Sequence, residues 1–395
     1  QVISLRWAAA EAAQPAFRIF AAMQARSVEA FQDAIRAWYA VSLNFVSADS
    51  QGNIGWIVSG QLPVRANGDG TVPLAVVDGS DNWTGWIPFA QMPRAVNPER
   101  GWLGTCNQKT VSADYPYYYS SYFSSSYRYR RLKTLMQPAR PLDTDDHYAF
   151  QRDTLNLMAA RLAPILATAL TARDDTRDLG NILARWDFRD DPERIGPTVF
   201  HAVYNRLALR VFEDDLGPAS ARTMLNVWYF WQERFQQMVE SGTSPWFDDI
   251  RTADTEETLD DMIYLAGQDA YAMLFDRFGS DPDRWRWGRA HTIEFVNPIR
   301  REGFGKGLLG GGRHPAAGSV ETLHRGIYHF ETPFDVRISA TLRMVADLGD
   351  ADKVLAVMGG GVTGRVFHPH ADDQIEAFLK GEKRFWWFSD TQIKA

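Results

Sequence analysis

The chain of 395 residues contains one cysteine, Cys106, so no disulfide can close within it, and the redox compartment stays open on that count. No uninterrupted apolar run reaches the ~20 residues that a helix needs to cross a bilayer. Positive charge is also in short supply: 42 Lys and Arg face 49 Asp and Glu, leaving a net charge of −7. That balance argues against a nucleic-acid-binding surface as the main role, because such a surface needs a basic footprint. There is no HExxH pair, no Gly-x-Ser-x-Gly elbow and no repeat of solenoid period. No signal peptide opens the chain, and an internal fragment would not carry one.

Apolar residues make up 45% of the chain, enough for a substantial core in one large or two ordinary domains. The most informative stretch runs from Leu43 to Arg65. Phe45, Ser47 and Asp49 alternate with Asn44, Val46 and Ala48, the period of a strand with two differently solvated faces. Ser50-Gln51-Gly52-Asn53 has turn composition, and Ile54 to Val58 reads as the returning strand. Asn44 therefore begins one arm of a hairpin, and Arg65 lies just beyond the other, after Pro63. Two readings of this pair are open. A side-chain amide and a guanidinium on a rigid hairpin can bind an oxyanion and a carboxylate; equally, they can be a hydrogen-bonded strand end and a solvated loop cation.

The rest of the chain falls into three parts. Residues 1–142 hold a short strand over 1–8, a helix capped by Ser27 with Phe31, Ile35 and Trp38 on its buried face, the hairpin, and a loop-rich stretch. In that stretch Trp83, Trp86 and Phe89 either line an apolar pocket or fill a core. Residues 143–280 turn helical. Stripes run through Leu155, Met158, Leu162, Ile165 and Leu166, through Val199, Val203, Leu207 and Val211, and through Leu225, Trp228, Trp231, Phe235 and Met238. A fourth runs from Leu259 to Leu274. Asp145 and Asp146 favour the start of the first helix, and Pro164 is expected to kink or end it. Glu256 and Glu257 are expected in the first turn of the last helix, with Gly279 past its end. Residues 281–395 return to strands at 335–339, 342–346 and 353–358. Strands at both ends with helices between give an α+β class.

Four further stretches carry site-type residues. Tyr115 to Arg131 is rich in tyrosine and reads as packed surface loop rather than a stacking platform for single strands, since its basic residues sit only at one end. Gly303-Phe304-Gly305-Lys306-Gly307 lacks the Ser or Thr that a phosphate loop places after its Lys. His368, His370, Asp372 and Asp373 are metal-ligand types at a spacing that matches no common zinc signature. Glu321, within Gly318-Ser319-Val320-Glu321-Thr322, reads either as an orienting carboxylate or as a solvated loop glutamate.

Several blocks resemble the penicillin acylase family of N-terminal-nucleophile hydrolases. They are Asn44-Phe45-Val46, Ala48-Asp49, Gly52-Asn53-Ile54-Gly55, Pro63-Val64-Arg65, Trp83 to Phe89, Pro93 to Pro98, Gly359-Gly360-Gly361, Phe367 to Gln374 and Phe388-Ser389-Asp390. The resemblance implies part of a four-layer αββα sandwich carrying a helical segment. It implies hydrolysis of an N-acyl amide through an acyl-enzyme on an N-terminal Ser. This chain begins at Gln1, and its opening resembles sequence downstream of that Ser. The chain is thus expected to be the C-terminal part of the large chain, inactive alone. By resemblance Asn44 is an oxyanion donor, and Arg65 holds the hairpin region together or meets a substrate carboxylate; Trp83 and Trp86 are the candidate substrate-facing aromatics. Glu321 sits where some members carry an orienting carboxylate. No cofactor is needed for the chemistry, and a structural calcium with unplaced ligands is expected. The implied partners are a small alpha chain and the N-terminal segment of the large chain, from the same precursor, and a small N-acyl substrate. Neither nucleic acid nor a membrane span is expected. A periplasmic or secreted location follows from the resemblance. Within the class, an N-acyl-homoserine-lactone acylase is the alternative; outside it, a noncatalytic interaction protein that keeps the scaffold.

Overall fold

The computed structural model describes residues 3–11, 19–75, 78–79, 82–137, 140–227, 229, 231–296, 311–350, 352–365 and 367–394. The chain divides into two compact units, Gln1–Ser126 with Leu348–Asp350, and Tyr127–Asp347 with Ala351–Ala395.

The first unit opens with short helices α1 (Ala8–Glu11) and α2 (Ile19–Met23) and a longer α3 (Val28–Ile35). The strand expected over 1–8 is not there. Residues 3–7 are irregular, and Ile3, Leu5 and Trp7 stay exposed. Their alternation suits a strand, but no described strand pairs with them, and an unpaired segment gains no ladder hydrogen bonds. Ser27 caps α3 as expected, its Oγ accepting from the Ala30 N–H at 3.1 Å. Strands β1 (Asn44–Ala48), β2 (Ile54–Val58), β3 (Pro63–Arg65), β4 (Trp83–Trp86) and β5 (Arg94–Val96) follow. One antiparallel sheet has the order β1-β2-β5, and β3 pairs with β4. In the β1–β2 hairpin Asn44 lies opposite Val58 and Ala48 opposite Ile54. Asp49 holds the turn: its Oδ1 accepts from the backbone N–H groups of Gln51 and Asn53, both at 3.0 Å. The Asn53 side-chain amide, those backbone donors and the Val28 N–H hold the Asp49 carboxyl below its ordinary range.

The second unit begins with α4 (Tyr127–Leu135) and α5 (Thr144–Phe150). Asp143 caps α5 in a reciprocal capping box with Asp146, so the acidic pair starts this helix and not the apolar one after it. The apolar stripe belongs to α6 (Leu157–Thr171), capped by Asn156; Leu155 instead forms a bridge with Arg189. α6 runs through Pro164, so the expected stop is absent; the missing N–H leaves only the Ala160 carbonyl without its helical donor. Next come α7 (Arg177–Ala184), α8 (Gly196–Leu216), α9 (Pro218–Leu225), α10 (Gln232–Ser241) and α11 (Leu259–Phe278). The third stripe is split between α9 and α10, and Trp228 lies outside the described residues. α11 starts behind a Thr258–Asp261 capping box, so Asp260 and Asp261 occupy its first turn, and Glu256 and Glu257 precede it. Gly279 ends it, as expected.

The chain then forms α12 (Trp287–Ala290) and strands β6 (Thr292–Phe295), β7 (Gly312–Pro315), β8 (Gly326–Tyr328), β9 (Val336–Ser339), β10 (Leu342–Ala346) and β11 (Val354–Met358). It closes with α13 (Ile375–Lys380), β12 (Arg384–Trp386) and α14 (Asp390–Lys394). The Gly303–Gly307 stretch lies outside the described residues. Tyr328 of β8 and Phe334 pack into the same core as α6, α8 and α11, while Leu355 and Val357 of β11 form a separate cluster with Tyr148, Ala377 and Phe378. Among the described residues no helix is long and apolar enough to cross a membrane.

Candidate functional site

The two faces of β1 have different fates. Phe45 packs edge-on against Phe31 and Trp38, at ring distances of 5.7 and 5.3 Å, under the cover of α3. Asn44, Val46 and Ala48 point the other way and are exposed. Asn44 therefore stands on the open face, at the start of an edge strand. Its Oδ1 accepts the Trp56 indole N–H at 2.9 Å. An indole can only donate, so this bond fixes which end of the amide meets Trp56. The two Nδ2 hydrogens are turned elsewhere and have no partner among the described residues. An oriented amide donor with nothing yet to bind is the group that a developing oxyanion requires.

Arg65, Trp83 and Trp86 are brought together by the β3–β4 pair, where Arg65 lies opposite Trp83 and Pro63 opposite Trp86. The two indoles meet edge to face at 5.5 Å and are half-buried. The Arg6 guanidinium lies 4.3 Å over the Trp83 ring. Arg65 is half-buried rather than a solvated cation, with its guanidinium carbon 5.5 Å from the Tyr118 ring centre. Gly70, at φ +78°, passes so close that a Cβ there would sit 3.3 Å from Arg65 Nε. No carboxylate among the described residues forms an ion pair with Arg65. A cleft of about 190 Å³ in this unit is lined by Trp86, Ile35, Trp38, Val58, Phe89 and others, but not by Trp83, Arg65 or Asn44. The tryptophans thus touch one another without jointly lining that cleft.

Glu321 belongs to the second unit and is 3% exposed, so it is not a solvated loop glutamate. It lines a small cavity of about 40 Å³ with His201, Tyr204, Trp231 and Tyr328. Burial, and after it the Glu321 charge, pushes the Tyr127 hydroxyl upward in pKa. Nearby, Asn156 Nδ2 donates to Asp190 Oδ2 at 3.0 Å, and the Tyr328 hydroxyl meets His201 Nδ1 at 2.8 Å. The sequence carries no local signal for this group, because its members are far apart in the chain. His201 sits among the apolar residues of the α8 stripe.

The other candidates resolve as structure. His370 Nδ1 lies 3.1 Å from Asp373 Oδ2, and that oxygen also accepts from Arg384 at 3.0 Å, so a guanidinium stands where a metal would need to be. Among the described residues no group of three or more His, Cys, Asp or Glu is placed to hold a metal ion. In the tyrosine-rich stretch, Tyr115 donates to the Gln91 carbonyl at 3.0 Å, and Tyr127 is buried at the head of α4.

The family model of penicillin amidase matches residues 1–395. The chain is 29% identical, over 392 residues, to the acyl-homoserine lactone acylase QuiP of Pseudomonas aeruginosa, with 91% of this chain and 46% of that protein covered. It is 27% identical over 360 residues to the penicillin acylase 2 proenzyme of Pseudomonas sp. strain SE83, covering 89% of this chain and 44% of that protein. The chain therefore spans about half the length of the curated relatives it matches. Its structure is similar to a thermostable penicillin G acylase from Alcaligenes faecalis, with a TM-score of 0.64 and 19% identity over 96% of this chain and 70% of that one. That likeness speaks for the fold: an α+β chain carrying part of an N-terminal-nucleophile hydrolase architecture.

Proposed function

Because this chain belongs to the penicillin amidase family, we propose that it is the large-chain portion of a serine amidohydrolase that cleaves N-acyl amides. The nucleophile in this reading is an N-terminal Ser on a segment outside this sequence. Its hydroxyl attacks the amide carbonyl while its own α-amino group, with a pKa near neutrality, takes the proton. The amine product leaves, and water then hydrolyses the acyl-enzyme. Asn44 donates Nδ2–H to the tetrahedral oxyanion. Arg65 meets a substrate carboxylate or steadies the loop that frames the site, and Trp83 and Trp86 offer apolar surface to the substrate. By the same resemblance Glu321 is the carboxylate given an orienting role. The partners are a small alpha chain and the N-terminal large-chain segment from one precursor, and the enzyme is periplasmic or secreted. The chemistry needs no cofactor. Any calcium in this reading is structural and lies away from the chemistry.

The observation that supports this reading most directly is the Asn44 amide, held by Trp56 through its oxygen, with its donors unpaired on the open face of β1. In the complete enzyme Asn44→Ala is expected to lower kcat by about 10²–10³, roughly 3–4 kcal/mol, with a modest change in KM. Undiminished turnover would remove the role. Mass spectrometry of the purified enzyme should find a companion polypeptide beginning with Ser, and this chain alone should hydrolyse nothing. A second reading, hydrolysis of N-acyl-homoserine lactones, is favoured by the 29% identity to QuiP over 91% of the chain. A panel that sets N-acyl-homoserine lactones of several chain lengths against penicillins separates the two.

A further inference from the structure

The loop from Ala66 to Gly70 leaves β3 directly behind Arg65 and folds back on its guanidinium: a Cβ added at Gly70 would sit 3.3 Å from both Nε and Nη2. The far half of this loop is held. Asp69 Oδ1 accepts the Thr71 N–H at 2.9 Å and the Thr71 hydroxyl at 2.5 Å. Those bonds, with the Arg65 charge contributing least, keep the Asp69 carboxyl below its ordinary range. The near half carries Asn67-Gly68, the sequence's one Asn-Gly step. Both residues are exposed, and Gly68 stands at φ +67°. The Gly68 backbone N–H has no hydrogen-bond partner among the described residues.

These features favour attack by the Gly68 nitrogen on the side chain before it. No ladder or turn bond has to break to release the N–H, and without a Cβ nothing of Gly68 itself crowds the approach. The other exposed asparagines among the described residues lack this set. Asn97 precedes Pro98, whose nitrogen carries no hydrogen, and Asn44, Asn82 and Asn107 precede the bulkier Phe45, Trp83 and Gln108.

We propose that Asn67 is a site of spontaneous deamidation, and that the acid it becomes pairs with the Arg65 guanidinium. Hydroxide takes the proton from the Gly68 nitrogen, which attacks Asn67 Cγ. The new C–N bond closes a cyclic imide, and the side-chain nitrogen leaves as ammonia with a proton from water. Water then opens either carbonyl of the imide, leaving aspartate or isoaspartate. Water is consumed and ammonia released, with no oxidant and no second protein. The isoaspartate form also routes the backbone through the side chain, which lengthens the loop between Arg65 and Gly70. Either product puts a carboxylate two residues from Arg65, a guanidinium with no ion pair among the described residues. Such a pair withdraws Arg65 from any substrate carboxylate. That consequence rests on the amidohydrolase reading; the modification and the pair do not.

The test is incubation of the complete enzyme in mildly alkaline buffer, followed by peptide mass spectrometry and by labelling with an isoaspartyl methyltransferase. The peptide holding Asn67 is expected to gain the mass of an amide-to-acid change, and the isoaspartyl label, before any peptide holding Asn44, Asn82 or Asn107. Asn67→Gln, whose longer side chain closes the corresponding ring far more slowly, is expected to stop both signals. The pair is read separately, by the rate at which phenylglyoxal labels Arg65. In aged enzyme and in Asn67→Asp that rate is expected to fall by about two- to fivefold, the weight of one exposed ion pair. An Asn67 that stays intact, or that converts no sooner than Asn44, Asn82 or Asn107, overturns the site. Arg65 labelling unchanged in N67D overturns the pair.

Discussion

Trp56 holds Asn44 by its oxygen, at 2.9 Å, and so decides where the amide's donors point. Without that bond the amide is free to rotate by half a turn and present its oxygen, which repels an oxyanion, in place of its N–H. Trp56→Phe keeps most of the ring and removes the donor. In the complete enzyme it is expected to lower kcat by about fivefold, the equivalent of one ordinary hydrogen bond at about 1 kcal/mol, with KM nearly unchanged. A steady-state comparison with Asn44→Ala checks it. Trp56→Phe should be milder, and adding it to Asn44→Ala should cost almost nothing more, because it acts through the amide that is already gone.

The hairpin that carries this pair was legible because its signal is local. A period of two, then Ser50 through Asn53 as a turn, then a second apolar run locate β1 and β2, with Asp49 falling in the turn rather than the strand. The role of Trp56 was not legible, since cross-strand register decides which side chain can reach Asn44. The burial of Glu321 was not legible for a related reason. Its neighbours in the chain are turn residues, and its burial comes from helices α8 and α10, distant in sequence. The merging of α5 and α6 into one expected helix ignored a signal that was present: Asn156 stands directly before the apolar run, and its Oδ1 caps Ala159 at 3.0 Å. Trp83 and Trp86 share a composition but not a cavity, a distinction that spacing alone cannot make.

α3 packs closely over Gly55 of β2. A Cβ at this position would lie 2.4 Å from Val28 Cγ1 and 2.9 Å from Gln32 Nε2. Both atoms belong to side chains on the buried face of α3, and Gln32 is itself tied to the carbonyls of Trp56 and Ala95 at 3.2 and 3.1 Å. Gly55→Ala therefore has to move the helix or break those bonds. It is expected to destabilise by about 1–3 kcal/mol, read as a lower midpoint in urea unfolding followed by tryptophan fluorescence. An unchanged midpoint would mean that α3 is not held against β2 as described.

Asn156 does two jobs with one side chain. Its oxygen caps α6, and its nitrogen donates to Asp190, a side chain with no exposure and with Oδ1 lacking a partner. Asn156→Ala removes the cap, about 1 kcal/mol, and strips a buried acceptor of its donor, about 1–3 kcal/mol more. A total loss of about 2–4 kcal/mol in chemical unfolding is expected. Asn156→Ser, which can keep the cap but cannot reach Asp190, should recover only the smaller part.

Two buried histidines give the fold a predictable response to acid. His291 stacks on Trp287 at a ring distance of 4.4 Å, and its Nδ1–H donates to the Phe334 carbonyl at 2.7 Å. Burial pushes its pKa from 6.5 down to about 3. His324 is likewise pushed down to about 3, by burial first and then by the Arg343 and Arg152 charges; Arg343 donates to its Nε2 at 3.0 Å, which requires that nitrogen to be unprotonated. Both rings are neutral in the folded chain and gain protons near pH 6.5 once unfolded. Between those values the unfolded state binds more protons, so stability rises with pH, is complete above about 6.5, and is lost progressively as pH falls toward 3. Each ring contributes about 1.4 kcal/mol per pH unit well inside that window. Urea unfolding measured from pH 7 to pH 4.5 should show this slope, before most carboxylates begin to titrate. His291→Gln and His324→Gln should each remove about half of it, whatever they do to stability at pH 7. A slope that neither variant reduces would show that these rings are not held neutral by the fold.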